Sequence, residues 1–357
     1  MGDVTAVVLT LGEETTERAL SSVARQSLPP KETIVVENTR PFHAALNAGA
    51  YQVRTAHFVQ VDADMVLDPP CFQMLRACMA PNVGVVAGHL RDPLIGRACC
   101  VKMFRRACFD VAQFKDSISP DTDFHREIAH HGWSLVYALR YGDEVGTPEH
   151  TFGEHRPSYT PEYAFHKHLM EGSRYRYRGD LGGLLWHLGQ LCNSKHDAAL
   201  LARIAMSHGV FEERQTDRLG TGPADTDTSS LVAFLMEKGG HDGQKLDPIP
   251  PLRGHPKEVL GRFVALGIDL REQHAPKAFE RCMQVLHQSD QELAWVASLA
   301  LCHGLLTPSY DRAQLDKDYR LLGQLLPQGS RSETTPRGIH RLLRLLQLHP
   351  WSERFRM

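Results

Sequence analysis

The sequence predicts an α/β fold with a mostly parallel sheet in its first half, followed by an all-α second half. Over residues 4–61, apolar runs of strand length alternate with segments of helical periodicity. This alternation is typical of βαβ units with right-handed crossovers. From about Asp180 onwards, helical patterns follow one another, with loop-like stretches between them. We therefore expect two domains, residues 1–179 and residues 180–357.

The first two strands and the helix between them have clear signals. Residues 4–10 form a β-branched apolar run that ends near Gly12. Residues 13–26 carry apolar side chains at helical spacing, and the prolines at 29 and 30 end that helix. Residues 33–36 are a second run of the buried-strand type. The order strand, helix, strand predicts a parallel pair.

The third predicted strand ends in two acids. A short helix over residues 44–53 leads into the largely apolar residues 57–61, and Asp62-Ala63-Asp64 follows at once. Ligands bind at the carboxyl ends of strands in α/β sheets. Two carboxylates at such a position supply the oxygen ligands that Mg²⁺ or Mn²⁺ prefers, although Asp-x-Asp alone is a weak motif.

Five segments in order resemble family 2 glycosyltransferases of the GT-A fold. They read Val-Val-Leu-Thr, Ala-Leu-Ser-Ser-Val-Ala-Arg-Gln, Ile-Val-Val-Glu-Asn, Ala-Leu-Asn-Ala-Gly and Val-Asp-Ala-Asp, at residues 7–10, 19–26, 34–38, 45–49 and 61–64. The resemblance covers residues 1–160 and not the helical half. It implies a Rossmann-like nucleotide-diphospho-sugar transferase that moves a sugar from a nucleotide-diphosphate donor to an acceptor hydroxyl.

The resemblance places the nucleotide at the ends of the first two strands. Thr10 and Glu37 would hold the base, although the family usually has Asp at the second position. Asn47 would lie near the nucleotide, with a helix-cap or loop role as its alternative. Glu13, in the loop after the first strand, is assigned to the same pocket. A UDP-sugar is the favoured donor.

The resemblance also implies the metal ligands. The Asp-x-Asp pair holds the cation on the diphosphate, so Asp62 is assigned to both nucleotide and metal, and Asp64 is the more dependable ligand. Many GT-A enzymes add a late His as third protein ligand. His150 is the first choice for this role and His155 the second. An imidazole ligand favours Mn²⁺ over Mg²⁺ as the cofactor.

A predicted helix near residue 121 opens with the candidate general base. In the resembled family this place carries Glu-Asp before a helix, and Asp121 falls on the Asp that takes a proton from the acceptor hydroxyl. Direct displacement would invert the anomeric centre. Pro120 stands in the Glu position, and Asp123 becomes the base if the alignment slips by two. Ser119-Pro120-Asp121 is also a good helix start without any catalytic role.

Composition limits the partners. The formal net charge of −2 gives no sign of a nucleic-acid partner. Its eight cysteines include no Cys-x-x-Cys pair, which favours a reduced compartment. We expect no signal peptide and no transmembrane segment, and therefore a cytoplasmic protein. Peripheral membrane contact through a basic amphipathic helix at residues 335–349 is the alternative to ordinary packing.

The acceptor would be a glycan, a lipid-linked group or a protein, and the helical half would bind acceptor, form a homo-oligomer or dock a partner. Two other functions compete with transfer. The first is a non-catalytic module that binds nucleotide or glycan and presents the helical half. The second is nucleotidyl transfer, which typically needs a basic, Gly-rich loop after the first strand. Residues 11–14 are acidic there and would repel a triphosphate.

Overall fold

The computed structural model describes residues 3–138, 151–213, 249–289, 293–307 and 310–325, together with positions 233, 235 and 291. They form two compact units that divide between Ser158 and Tyr159. The first unit is α/β and the second is helical, which confirms the predicted class. The predicted boundary at residue 179 falls after helix Pro161–Arg178, whereas the structure places that helix in the second unit.

The first unit combines an eight-stranded sheet with four α-helices and a 3₁₀ turn within the described residues. The strands are β1 (Val4–Thr10), β2 (Glu32–Glu37), β3 (His57–Asp62), β4 (Met65–Leu67), β5 (Val83–Asp92), β6 (Gly96–Arg105), β7 (Ser134–Tyr137) and β8 (Gly153–His155). The helices are α1 (Thr16–Ala24), α2 (Phe42–Gln52), α3 (Cys71–Ala77) and α4 (Pro120–His130), and the 3₁₀ turn is Arg106–Asp110.

The strand order is β2-β1-β3-β6-β5-β8-β4, with β7 paired to β5. β1 runs parallel to both β2 and β3, and β7 and β8 run parallel to β5. β6 is antiparallel to β3 and β5, and β4 is antiparallel to β8. Only residues 93–95 connect β5 to β6, which is too short for a parallel crossover, so these two strands form a hairpin.

Helices cover both faces of the sheet. Successive side chains of a strand point to opposite faces, so Ala6 and Val8 of β1 join the apolar layer of α1 and α3. Val7 and Leu9 join the layer of α2 and α4. With both faces buried, polar groups of the strands reach solvent at the strand ends, which is where α/β sheets bind ligands.

The second unit is built from helices throughout its described residues. They are α5 (Pro161–Arg178), α6 (Leu181–Asn193), α7 (Ala199–Gly209), α8 (Pro256–Glu272), α9 (Pro276–Gln288), α10 (Ala294–Leu306) and α11 (Arg312–Gly323). α10 is apolar and buried on nearly every side, which makes it the centre of this unit's core. The predicted helix at residues 335–349 lies outside the described residues. No described helix has the length and apolar character that crossing a bilayer requires.

Candidate active site

Asp62 and Asp64 flank a turn that is tied to the end of β1. The Ala63 N–H donates to the Leu9 carbonyl at 3.0 Å, and Asp62 Oδ1 accepts from Gln60 Nε2 at 2.9 Å. Burial, followed by the charge of Asp64, raises the pKa of Asp62 to about 6. A nearby cation would favour the ionised carboxylate. The predicted Asp-x-Asp therefore lies at the carboxyl edge of the sheet, as expected.

Pairing of β4 with β8 brings His155 to Asp64. Met65, which follows Asp64 directly, is the register partner of His155. His155 Nε2 lies 3.2 Å from Asp64 Oδ2, and His155 Nδ1 lies 2.6 Å from Asp92 Oδ2. The imidazole thus sits between two carboxylates. His150, the first choice for the third metal ligand, lies outside the described residues.

The distance between Asp64 and His155 fits a divalent cation. Adjacent ligands of an octahedral ion with bonds of about 2.1 Å lie about 3 Å apart. The separation of Asp64 Oδ2 and His155 Nε2 is 3.2 Å. Among the described residues, no group of three His, Cys, Asp or Glu side chains is placed to hold a metal ion by itself. Such a partial ligand set suits an ion whose coordination is completed by substrate phosphates and water.

Asp121 forms an ion pair with a buried lysine. Lys102 lies on β6 opposite Gln60, and its Nζ is 2.5 Å from Asp121 Oδ2. The Lys102 side chain is 9% exposed and that of Asp121 is 41% exposed. Burial acts against the ammonium charge, but Asp121 and more weakly Asp62 act in the other direction, and the pKa of Lys102 is raised above its ordinary value. The Lys102 amine is therefore charged, and the Asp121 side chain is partly exposed.

Asp123, the alternative base, has a different neighbour. Its Oδ1 lies 3.7 Å from Arg126 Nη1, on the next turn of α4. Ser119 precedes the helix and its side chain makes no capping hydrogen bond to the backbone. Of the two acids, it is Asp121 that contacts Lys102 and through it approaches Asp62.

The residues assigned to the nucleotide lie where β1 and β2 end. Thr10 and Glu37 are register partners in the parallel pair, and Glu37 is exposed. Thr10 Oγ1 lies 2.8 Å from Glu13 Oε2 and 2.8 Å from Thr16 Oγ1. Glu13 Oε2 also accepts the Leu11 N–H at 2.7 Å. Thr10 and Glu13 therefore shape the loop after β1, and their nucleotide role stays a prediction.

The Asn47 side chain forms hydrogen bonds with the backbone of another segment. Its Nδ2 donates to the Phe114 carbonyl at 2.8 Å, and its Oδ1 accepts the Phe114 N–H at 3.1 Å. This two-bond contact ties α2 to the segment that precedes α4. The contacts favour the structural alternative for Asn47, and a direct contact with nucleotide remains a prediction.

No family model matches the chain, and no curated protein matches it. Solved structures do match. The mannosyltransferase PcManGT from Pyrobaculum calidifontis, in complex with GDP-Man and Mn²⁺, is 14% identical with a TM-score of 0.38 over 65% of this chain and 78% of that one. TarS 1–349 of S. aureus is 11% identical with a TM-score of 0.32, covering 89% of this chain and 91% of that one. TarS 1–349 in complex with UDP-GlcNAc is 13% identical with a TM-score of 0.31 over the same shares. At these identities and scores, the likeness establishes neither a family nor an activity for this chain.

Sequence reasoning missed two residues of the site, and each had a signal. Asp92 is the last residue of β5, as Asp62 is of β3, so both are acids at the end of a strand. Lys102 is the single charge within the apolar run of residues 98–104, and a charge buried in a strand requires a partner. What the sequence did not show is that the pairing of β6 with β3 places Lys102 near Asp62, and that the pairing of β5 with β8 brings Asp92 to His155.

Proposed function

We propose that the chain is a metal-dependent glycosyltransferase that moves a sugar from a nucleotide-diphosphate donor to an acceptor hydroxyl. The observation that carries the proposal is the arrangement of two pairs near Asp62, namely Asp64 with His155 and Lys102 with Asp121. The Asp62 carboxylate interacts electrostatically with Asp64, Lys102 and His155. The first pair suits a cation and the second suits proton transfer.

The donor side of the site is formed by Asp62, Asp64 and His155. These residues would hold Mn²⁺ or Mg²⁺, which when bound would neutralise the charge that develops on the diphosphate leaving group. Thr10 and Glu37 lie at the neighbouring strand ends, where the nucleoside of the donor would bind. A UDP-sugar is the favoured donor.

The acceptor side is formed by Asp121. Its carboxylate takes the proton of the acceptor hydroxyl while that oxygen attacks the anomeric carbon. Attack from the face opposite the leaving diphosphate inverts the anomeric centre. Lys102 Nζ restrains the carboxylate through a charge-assisted contact of 2.5 Å, which fixes its direction. The acceptor itself would be a glycan, a lipid-linked group or a protein.

Donor binding can be tested directly by thermal shift. UDP-, GDP- and dTDP-sugars are each added with Mn²⁺ or with EDTA, because a ligand that binds only the folded state raises the melting temperature. We expect one nucleotide to raise it in Mn²⁺ and not in EDTA. The absence of a shift with every donor would contradict the proposal.

The metal role of Asp64 is tested by Asp64→Ala. Loss of the carboxylate should remove the Mn²⁺-dependent part of nucleotide binding, measured by titration calorimetry with and without Mn²⁺. Asp110→Ala is the matched control, because Asp110 is an exposed acid of the same unit that pairs with Arg106 at the surface. Equal Mn²⁺ dependence in the wild type and Asp64→Ala would count against this assignment.

A non-catalytic binding module is the second candidate, and one observation favours it. The carboxylate that would take the acceptor proton is already paired with the Lys102 ammonium. A glycosyltransferase and a binding module differ in whether the bound donor is turned over. A module would bind a nucleotide-sugar yet show neither transfer nor donor hydrolysis, and Asp121→Asn would change nothing measurable.

A further inference from the structure

Asp92 lies at the end of β5, and its carboxylate contacts two backbone N–H groups and the His155 imidazole. Oδ1 accepts the backbone N–H groups of Leu94 at 2.8 Å and Ile95 at 2.9 Å. Oδ2 lies 2.6 Å from His155 Nδ1. The Asp92 side chain is 0% exposed, so these contacts hold it in one orientation without competition from solvent. The reaction described above gives this buried acid no task.

The contact with Asp92 determines where His155 carries its proton. An ionised carboxylate only accepts hydrogen bonds, so His155 Nδ1 must be the protonated nitrogen in this pair. In the neutral imidazole the lone pair then belongs to Nε2. Nε2 is the atom that lies 3.2 Å from Asp64 Oδ2. A His that binds a metal usually has its other ring nitrogen held by a carboxylate in this manner.

We propose that Asp92 is a positioning residue that fixes His155 in the Nδ1–H tautomer and directs Nε2 to the cation beside Asp64. The part that concerns the cation rests on the proposed function. The part that concerns the tautomer depends only on the hydrogen bonds of Asp92. The two parts can therefore fail separately.

Asp92→Asn tests the proposal with little change in shape. The N–H groups of Leu94 and Ile95 require an acceptor, so the amide oxygen must occupy the Oδ1 position and the NH₂ group must face His155. Nδ1 then has to accept, the proton moves to Nε2, and Nε2 can no longer bind a metal. The melting temperature should change little, because both backbone hydrogen bonds remain.

Metal binding is measured with Mn²⁺ alone, from the electron paramagnetic resonance signal of the free ion. Asp92→Asn should weaken Mn²⁺ binding about 10–100-fold, the usual effect of losing such a partner. His155→Ala should weaken it as well, and Asp92→Asn should add nothing in the His155→Ala background, because one residue acts through the other. Unchanged Mn²⁺ affinity in Asp92→Asn, or losses that simply add, would overturn the proposal.

The tautomer is measured without metal or sugar. Two-bond ¹⁵N–¹H correlation spectra of ¹⁵N-histidine-labelled protein distinguish a protonated Nδ1 from a protonated Nε2, and His155→Ala identifies the signal. We expect Nδ1–H in the wild type and Nε2–H in Asp92→Asn. A wild-type ring with an unprotonated Nδ1 would overturn the proposal even if the variant failed to fold. A protonated Nδ1 in a protein that binds no nucleotide-sugar would support the positioning role and reject the glycosyltransferase.

Discussion

At the scale of single residues, Asp121 is the acid whose removal separates chemistry from binding. Asp121→Asn keeps the size of the side chain and removes the proton acceptor. General-base catalysis typically contributes about 10²–10⁴-fold, so kcat should fall by this factor while donor affinity is preserved. Transfer assays and calorimetry with the donor measure the two quantities. Asp123→Asn is the matched control, and a larger loss of kcat in that variant would move the base to Asp123.

Lys102→Met tests whether the ion pair orients the base. Methionine fills a similar volume and removes the ammonium, while the Asp121 side chain keeps its partial exposure. A reacting group that loses its orientation costs up to about 100-fold in rate, so kcat should fall with little change in donor affinity. Steady-state kinetics separate the two effects. An unchanged or increased kcat would contradict the orienting role of Lys102.

The sequence predicts a site residue well when the signal lies close to that residue in the chain, and poorly when the residue reaches the site through pairing of distant strands. Asp62 and Asp64 were predictable because a strand and the residues after it are local features. His155 could only be offered as a second choice, since its approach to Asp64 depends on pairing between β4 and β8. Lys102 approaches Asp62 through the pairing of β6 with β3, and Asp92 meets His155 through the pairing of β5 with β8, so both depend on register between distant segments. Local patterns identify strand ends, and long-range register decides which of them meet.

At the scale of elements, the close contact of α5 with α7 depends on glycine. A Cβ added at Gly172 would lie 2.0 Å from the Met206 carbonyl oxygen. This oxygen belongs to the backbone, so relieving the clash would require a shift of helix α7. Overpacking of this kind costs about 1–3 kcal/mol, and here it outweighs the helix propensity of alanine, about 1 kcal/mol. Gly172→Ala should therefore lower the free energy of unfolding, as measured by urea denaturation.

Gly189→Ala in α6 is the matched control for this effect. No heavy atom lies within 4 Å of the position that its Cβ would take. Alanine should therefore be neutral there or should stabilise the protein by up to about 1 kcal/mol. Equal effects at positions 172 and 189 would show that the contact between α5 and α7 is looser than the structure gives.

Helix positions in the second unit follow from local sequence signals. The helical patterns expected after residue 180 include residues 256–266 and 276–287, where the structure has α8 (Pro256–Glu272) and α9 (Pro276–Gln288), because apolar periodicity is a local signal. The unit to which α5 belongs depends on contacts with helices that are distant in the sequence. Its face at Gly172 packs on α7, and the helix belongs to the second unit. In the sequence, the succession of helical patterns begins only at residue 180, so the boundary was predicted after α5.

At the scale of the whole molecule, buried imidazoles determine how stability responds to acid. Among the described residues, burial is the largest cause that lowers the pKa of His57, His89, His125, His287 and His303. In His89, His125 and His303 the pKa falls to about 4. The unfolded chain binds protons at these residues below about pH 6.5, whereas the folded chain binds them only at lower pH, near 4 in the case of His89, His125 and His303.

The free energy of unfolding should therefore fall as the pH drops from about 7 to about 5. The unfolded state binds more protons in this window, and each such imidazole contributes up to about 1.4 kcal/mol per pH unit. Asp62 opposes the trend, because its raised pKa lets the folded state bind a proton first. Urea denaturation at several pH values measures the slope. His303→Gln should reduce it, whereas the exposed His130→Gln should leave it unchanged. A free energy of unfolding that rises on acidification would mean that these rings are not held neutral in the folded protein.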